Sequence, residues 1–212
     1  KSSKKSLIKD EELPKISIVT LTHNRKHMFK LAIYNFNTST YPKDKLEWVI
    51  YDTSSDEYKI ENLLPNPQDR EKLNIKYIHN NTLESIGCSR NNSIKHASND
   101  IVVFMDDDDY YYPDSFKNRV TGLLNNNVDI VGCTYLGSMC INSIVSYINA
   151  PTITEKLGTK ISPASLCFRK SIITEKCDFS DENIDECESL FNNLSYNKFK
   201  EMCWEDIIVS LS

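Results

Sequence analysis

The chain has 212 residues, 40% of them hydrophobic and 26% charged, with a formal net charge of −5. That length supports one domain with a sizeable core. The acidic balance gives no general attraction to nucleic acid, and no run approaches the ~18 apolar residues of a membrane span, so neither nucleic acid nor a membrane segment is expected of this chain. Seven cysteines (88, 133, 140, 167, 177, 187 and 203) form no CxxC pair, which points to reduced thiols rather than a zinc module or a disulfide framework.

Residues 1–15 are polar and charged and read as a flexible lead-in. "ISIVTLT" (16–22) is a β-branched strand, followed by a helix with Phe29, Ala32, Ile33 and Phe36 on one face. "LEWVIYD" (46–52) is a second buried strand, 61–70 a Pro-containing loop, and "LNIKYIH" (73–79) a third strand. A helix over 86–97 leads to a fourth strand, "IVVFM" (101–105). After four aspartates, Pro113 and Asp114 open a helix with Phe116, Val120, Leu123 and Leu124 at i, i+4, i+7 and i+8, and "VDIVGCTY" (128–135) is a fifth strand. Beyond 136 the pattern weakens to a strand at 164–173 and an acidic surface helix at 181–194. Alternating strands and helices predict an α/β fold with a mostly parallel central sheet covered on both faces.

Ligands of such sheets bind beyond the carboxyl ends of the strands, which here read "LTHNR", "YDTSSDE" and "DDDDYYYPD". Alternation along an extended segment puts Asp106 and Asp108 on one side, and Asp107 and Asp109 on the other. Like charges this close need a cation, a hydrogen-bond network or water. Oxygen donors without adjacent His or Cys suit Mg²⁺ or Mn²⁺. A solvated acidic turn is the alternative, and Asp109 is expected to be solvated or to lead into the helix. Asp52 either caps its own polar turn or accepts from a ribose hydroxyl or base N–H. Arg25 and Arg90 are either surface residues or partners of a diphosphate.

Together these pieces resemble the inverting glycosyltransferases of family 2, of GT-A fold. "LTHNR" (21–25), "YDTSSD" (51–56), "GCSRN" (87–91), "FMDDDD" (104–109) and "WED" (204–206) follow that family's motif order. Tyr51 stands where the family has the first Asp of its second motif, Thr53 where it has Gly, and Leu21 where Pro is common. The resemblance implies a Rossmann-like nucleotide-sugar-binding part over 16–135 and a smaller acceptor-side part over 136–212. It implies that Thr22 and Arg25 line the donor pocket, that Asp52 contacts uracil or ribose, and that Arg90 contacts base or diphosphate. Asp106 reaches the ribose side and shares the metal with Asp108, Asp107 assists, and Asp206 is the catalytic base with Glu205 beside it.

The implied reaction is metal-dependent transfer, with Mn²⁺ or Mg²⁺, of a sugar from a UDP-sugar donor to a hydroxyl of a glycan or glycoprotein acceptor. A cytoplasmic location is favoured, with a secretory one as the alternative. For "WED" the residues also allow a plain helical face built on Trp204 and Ile208. Two other readings are a sugar-phosphate nucleotidyltransferase, disfavoured because "LTHNRKHM" contains no glycine, and a non-catalytic module of the same fold.

Overall fold

The structure, a computed structural model, describes residues 8–151, 156–174, 177–194 and 196–211. β1 (Ile16–Thr22), α1 (Phe29–Thr38), β2 (Leu46–Asp52), α2 (Pro67–Lys72), β3 (Ile75–His79), α3 (Ile86–Lys95) and β4 (Ile101–Phe104) come first. β5 (Tyr110–Tyr111), α4 (Ser115–Asn126), β6 (Ile130–Gly132), β7 (Leu136–Cys140) and β8 (Val145–Asn149) follow. The chain then forms α5 (Leu157–Lys160), β9 (Cys167–Arg169), α6 (Cys187–Asn193), β10 (Phe199–Glu201) and β11 (Ile208–Leu211). The expected α/β architecture with a mostly parallel sheet is present. Seven strands run in the order β10-β6-β9-β4-β1-β2-β3, and β9 alone is antiparallel to its neighbours. A second sheet orders β5-β11-β7-β8.

Strand periodicity explains why the larger sheet is apolar on both faces. Ile18, Ile50 and Val103 join Phe29, Trp48 and Phe116 in one core, whereas Val19, Val49 and Val102 join Phe104, Phe168 and Leu190 in the other. Each such side chain contributes roughly 1.5–3 kcal/mol on burial. Glu47 interrupts the apolar run of β2 yet is buried. Its carboxylate is satisfied by Ser17 Oγ, by Ser98 N at 2.8 Å and by Lys76 Nζ at 2.6 Å.

Several boundaries differ from the sequence expectation. Residues 1–7 of the expected lead-in lie outside the described residues, while Leu13 is buried and Lys45 Nζ donates to the carbonyls of Asp10, Glu11 and Leu13. The expected loop at 61–70 contains a 3-10 turn and the start of α2, because Asn66 caps Asp69 N at 2.9 Å and Pro67 fits the first helical position. β3 starts at Ile75 rather than 73 because Asn74 adopts φ 54°. The strand expected over 164–173 shortens to β9 between two 3-10 turns. The helix expected over 181–194 narrows to α6, which buries Cys187, Leu190 and Phe191 instead of lying on the surface. Trp204 and Ile208 share no helical face, since a 3-10 turn at Trp204–Asp206 leads directly into β11. Among the described residues no helix is long and apolar enough to cross a membrane, and all seven cysteines are free.

Candidate active site

Parallel β1, β2 and β4 end side by side, and a cavity of about 580 Å³ opens at their carboxyl ends. Thr22, Arg25, Arg90, Asp106, Asp107 and Asp108 all line it, so six of the residues expected at the donor site are brought together. The aspartate run follows Met105, which is fully buried and donates its N–H to Val19 O at 2.9 Å. The Tyr111 hydroxyl accepts from Asp106 N at 2.9 Å and donates to Ala164 O at 3.0 Å, which turns the chain back into β5.

The predicted alternation is present: Asp107 and Asp109 are buried at 3% and 7% exposure, and Asp106 and Asp108 stay partly exposed. Asp109 therefore is neither solvated nor a helix lead. Its Oδ1 accepts from Leu211 N at 3.2 Å, tying the run to β11. Arg25 Nη1 pairs with Asp108 Oδ2 and lies 3.5 Å from Asp107 Oδ1. Burial works against the Arg25 charge, but Asp108 and Asp107 outweigh it and raise its pKa. Arg90 is buried, stacks over Phe104 at 4.7 Å, and grips Asp106 with both terminal nitrogens at 3.3 and 3.2 Å. Its Nε donates to Glu186 Oε1 at 3.1 Å. Arg90 borders the cavity, and three of its N–H donors engage these two carboxylates, so its geometry aims Asp106.

Burial, with the neighbouring aspartates adding to it, pushes Asp107 and Asp109 from an ordinary value near 3.8 up to about 7. Asp108 is raised as well, by burial first, with Arg25 opposing. For Asp107 and Asp109 the folded pKa lies above the unfolded one, so between about pH 4 and about pH 7 the folded chain binds protons that the unfolded chain releases. Stability should therefore fall as pH rises through that window and level off above it. Melting temperatures at about pH 5 and about pH 8 check this, and a higher value at the upper pH would contradict it.

Among the described residues, no three His, Cys, Asp or Glu side chains gather as a metal site. The rim nevertheless fits a hard divalent ion. Asp107 Oδ2 and Thr22 Oγ1 are buried without hydrogen-bond partners; the Thr22 hydroxyl is close enough to ease the Asp107 charge but does not meet hydrogen-bond geometry. Asp106 and Asp108 supply further oxygens at the cavity. Mg²⁺ and Mn²⁺ commonly bind through one or two carboxylates, with waters and phosphate oxygens completing the shell.

Three of the residues expected at the site, Asp52, Glu205 and Asp206, do not line the cavity. Asp52 is fully buried and accepts from Ser54 N at 2.8 Å, Ile60 N at 3.1 Å and Tyr77 OH at 2.8 Å. It is a turn cap, and its neighbours Tyr51 and Thr53 face the cavity in its place. Asp206 and Glu205 are exposed and do not line the cavity. The physical reason is strand direction: β11 runs antiparallel to β5, so Leu211 approaches Asp109 while Asp206 lies at the opposite end, its carbonyl accepting from Asn118 Nδ2 at 3.0 Å.

Sequence reading missed the segment 179–186, which docks on the start of α3. Gly87 N donates to Glu182 O at 3.0 Å, Ile86 N to Asn183 Oδ1 at 3.0 Å, and Asn91 exchanges hydrogen bonds with the Phe179 backbone at 2.7 and 3.0 Å. A Cβ on Gly87 would lie 1.7 Å from Ser180 O, so this glycine permits the approach. The acidic run that looked like a solvated helix thus delivers Glu186 to Arg90 and Asn183 to the cavity wall.

The family model for glycosyl transferase family 2 matches residues 17–174. The chain is 26% identical over 136 residues to the UDP-Glc:alpha-D-GlcNAc-diphosphoundecaprenol beta-1,3-glucosyltransferase WfgD of Escherichia coli. That match covers 64% of this chain and 51% of WfgD, so the chain spans about half the length of this curated relative. Among solved structures, residues 1–349 of S. aureus TarS superpose with a TM-score of 0.71 at 18% identity, covering 93% of this chain and 60% of that one. The mannosyltransferase PcManGT from Pyrobaculum calidifontis, in complex with GDP-Man and Mn²⁺, superposes with a TM-score of 0.70 at 15% identity, covering 96% and 58%. With the GT-A fold and the strand-end aspartates in place, the match over most of its length shows that the chain belongs to glycosyl transferase family 2.

Proposed function

We propose that the protein transfers a sugar from a UDP-sugar to an acceptor hydroxyl of a glycan or glycoprotein, with inversion at the anomeric carbon and dependence on Mn²⁺ or Mg²⁺. The observation that carries this reading is the set of three aspartates and Arg25 around one cavity at the carboxyl ends of β1, β2 and β4. The relatives support it: WfgD is a UDP-Glc glucosyltransferase, TarS has been solved with UDP-GlcNAc, and PcManGT with GDP-Man and Mn²⁺.

In this reading Asp106 and Asp108 hold the ion, with Asp107 Oδ2 as a further oxygen. When bound, the ion would neutralise charge on the departing diphosphate. Arg90 and Glu186 fix the Asp106 carboxylate before donor arrives, so no reorganisation is needed at that position. Arg25, half exposed and already beside Asp107 and Asp108, can turn its remaining N–H donors to a diphosphate oxygen. Thr22 offers its unpartnered hydroxyl to the donor at the floor of the same cavity.

A thermal-shift panel of nucleotide sugars tests the proposal. UDP-sugars with Mn²⁺ should raise the melting temperature by several degrees, as a ligand at about a hundred times its Kd stabilises by roughly 2.7 kcal/mol. Equal shifts with and without Mn²⁺, or none with any nucleotide sugar, would sink it.

A further inference from the structure

One wall of the cavity carries a carboxylate that the donor reading has not used. Glu84, in the loop between β3 and α3, lines the cavity together with Tyr51, Ser89, Leu83 and Ile86. Its Oε1 is occupied by two amide donors, Asn80 Nδ2 at 2.7 Å and Asn92 Nδ2 at 3.0 Å. Its Oε2 has only longer contacts, from the Tyr51 hydroxyl at 3.2 Å and the Ser89 hydroxyl at 3.4 Å. The carboxylate is therefore held mainly through Oε1, from which the Tyr51 hydroxyl also lies 3.5 Å away, and an N–H donor arriving at Oε2 would displace the longer hydroxyl contacts there. Leu83 and Ile86 flank it in sequence and expose 84% and 41% of their surface. Large apolar side chains beside an oriented, acceptor-only group suit a planar heterocycle, its faces covered and its N–H edge read by the carboxylate.

The number of open positions selects the heterocycle. Guanine offers two adjacent N–H donors and would need both carboxylate oxygens, but Oε1 is taken. Cytosine and adenine can each offer an amino donor, but a ring-nitrogen acceptor stands beside it and would meet the same acceptor-only carboxylate. Uracil presents a single imide N–H between two carbonyls, and the hydroxyls beside Oε2 can rotate to donate to a carbonyl. We propose that Glu84, positioned by Tyr51, Asn80 and Asn92, reads the uracil imide and sets the preference for UDP among nucleoside diphosphates. This rests on the donor reading above.

Calorimetric titration of the whole chain with UDP, CDP, GDP and inorganic pyrophosphate, each with Mn²⁺, tests it in wild type, Glu84→Gln and Leu83→Ala. Wild type should bind UDP most tightly. Glu84→Gln, which presents a donor as well as an acceptor, should narrow the UDP-to-CDP ratio about tenfold and leave pyrophosphate affinity unchanged. Leu83→Ala, at a side chain too exposed to matter for folding, should weaken UDP and CDP by the same factor and spare pyrophosphate. An unchanged UDP-to-CDP ratio in folded Glu84→Gln, a wild-type preference for GDP or CDP, or an unaltered UDP affinity in Leu83→Ala would overturn the inference. Wild type that binds pyrophosphate but no nucleotide overturns it at the base site alone, whereas wild type that binds none of the four removes the donor reading and this inference together.

Discussion

Arg119→Ala should lower the unfolding free energy by about 4 kcal/mol or more, combining a large buried cavity with orphaned carbonyls. Arg119 lies on α4 and is fully buried. Its guanidinium donates to the carbonyls of Phe104 at 2.8 Å, Leu166 at 3.2 Å, and Ala164 and Ser115 at 3.4 Å. It sits 5.3 Å from the centre of the Tyr111 ring and 5.5 Å from that of Phe116. Among the described residues no carboxylate pairs with it, so backbone dipoles and ring faces carry the charge, and burial pulls its pKa down. Phe104 ends β4 just before the aspartates, and Ala164 O also accepts from the Tyr111 hydroxyl that holds Asp106 N. Arg119 thereby fixes the platform on which the acidic run turns. Arg119→Met, which keeps volume but not the donors, should recover about half of the loss. Urea denaturation measures both, and an Ala variant within about 1 kcal/mol of wild type would refute this account.

The elements legible in the sequence are those whose burial follows a simple period. β1, β2 and β4 are largely apolar runs, rich in β-branched and aromatic residues, because both faces meet a core, and the strand ends located the cavity without any tertiary information. The pleat also foretold which aspartates would share a side, but not which side would be buried: Asp109 was expected in solvent and instead lies buried with its Oδ1 tied to Leu211 N. Illegible parts depended on distant partners. Asp52 stays open between turn cap and ligand in the sequence because nothing nearby reveals that Ile60 N and the Tyr77 hydroxyl reach its second oxygen. The position of Asp206 away from the cavity was not legible because "ED" carries no information on the direction of β11, which its pairing with β5 and β7 decides. Glu186 looked solvated because its partner Arg90 lies 96 residues away. A usable signal did exist at Gly87: a glycine inside a helical pattern marks a close backbone approach, here by Ser180.

If the proposed donor reading holds, Asp108→Ala should weaken Mn²⁺-dependent UDP binding by at least about a hundredfold, because it would remove a metal ligand rather than a supporting group. The same substitution unpairs Arg25 from its nearest carboxylate, leaving Asp107 Oδ1 at 3.5 Å as the remaining partner. Binding of UDP without metal should therefore change little, since the freed guanidinium still offers charge to the diphosphate. Asp109→Asn separates this from a general effect of charge in the run. Asp109 is equally acidic in sequence, but it faces β11, and its Oδ1 acceptor role toward Leu211 N can be kept by an amide oxygen. That variant should retain Mn²⁺-dependent UDP affinity within about threefold, a difference smaller than one ordinary hydrogen bond. Because burial pushes the Asp109 carboxyl up to about 7, the neutral amide should also gain stability relative to wild type as pH rises from about 5 to about 8. Equal losses of metal-dependent binding in the two variants would mean that the run acts as a diffuse acidic patch, and the assignment of Asp108 as ligand would fall.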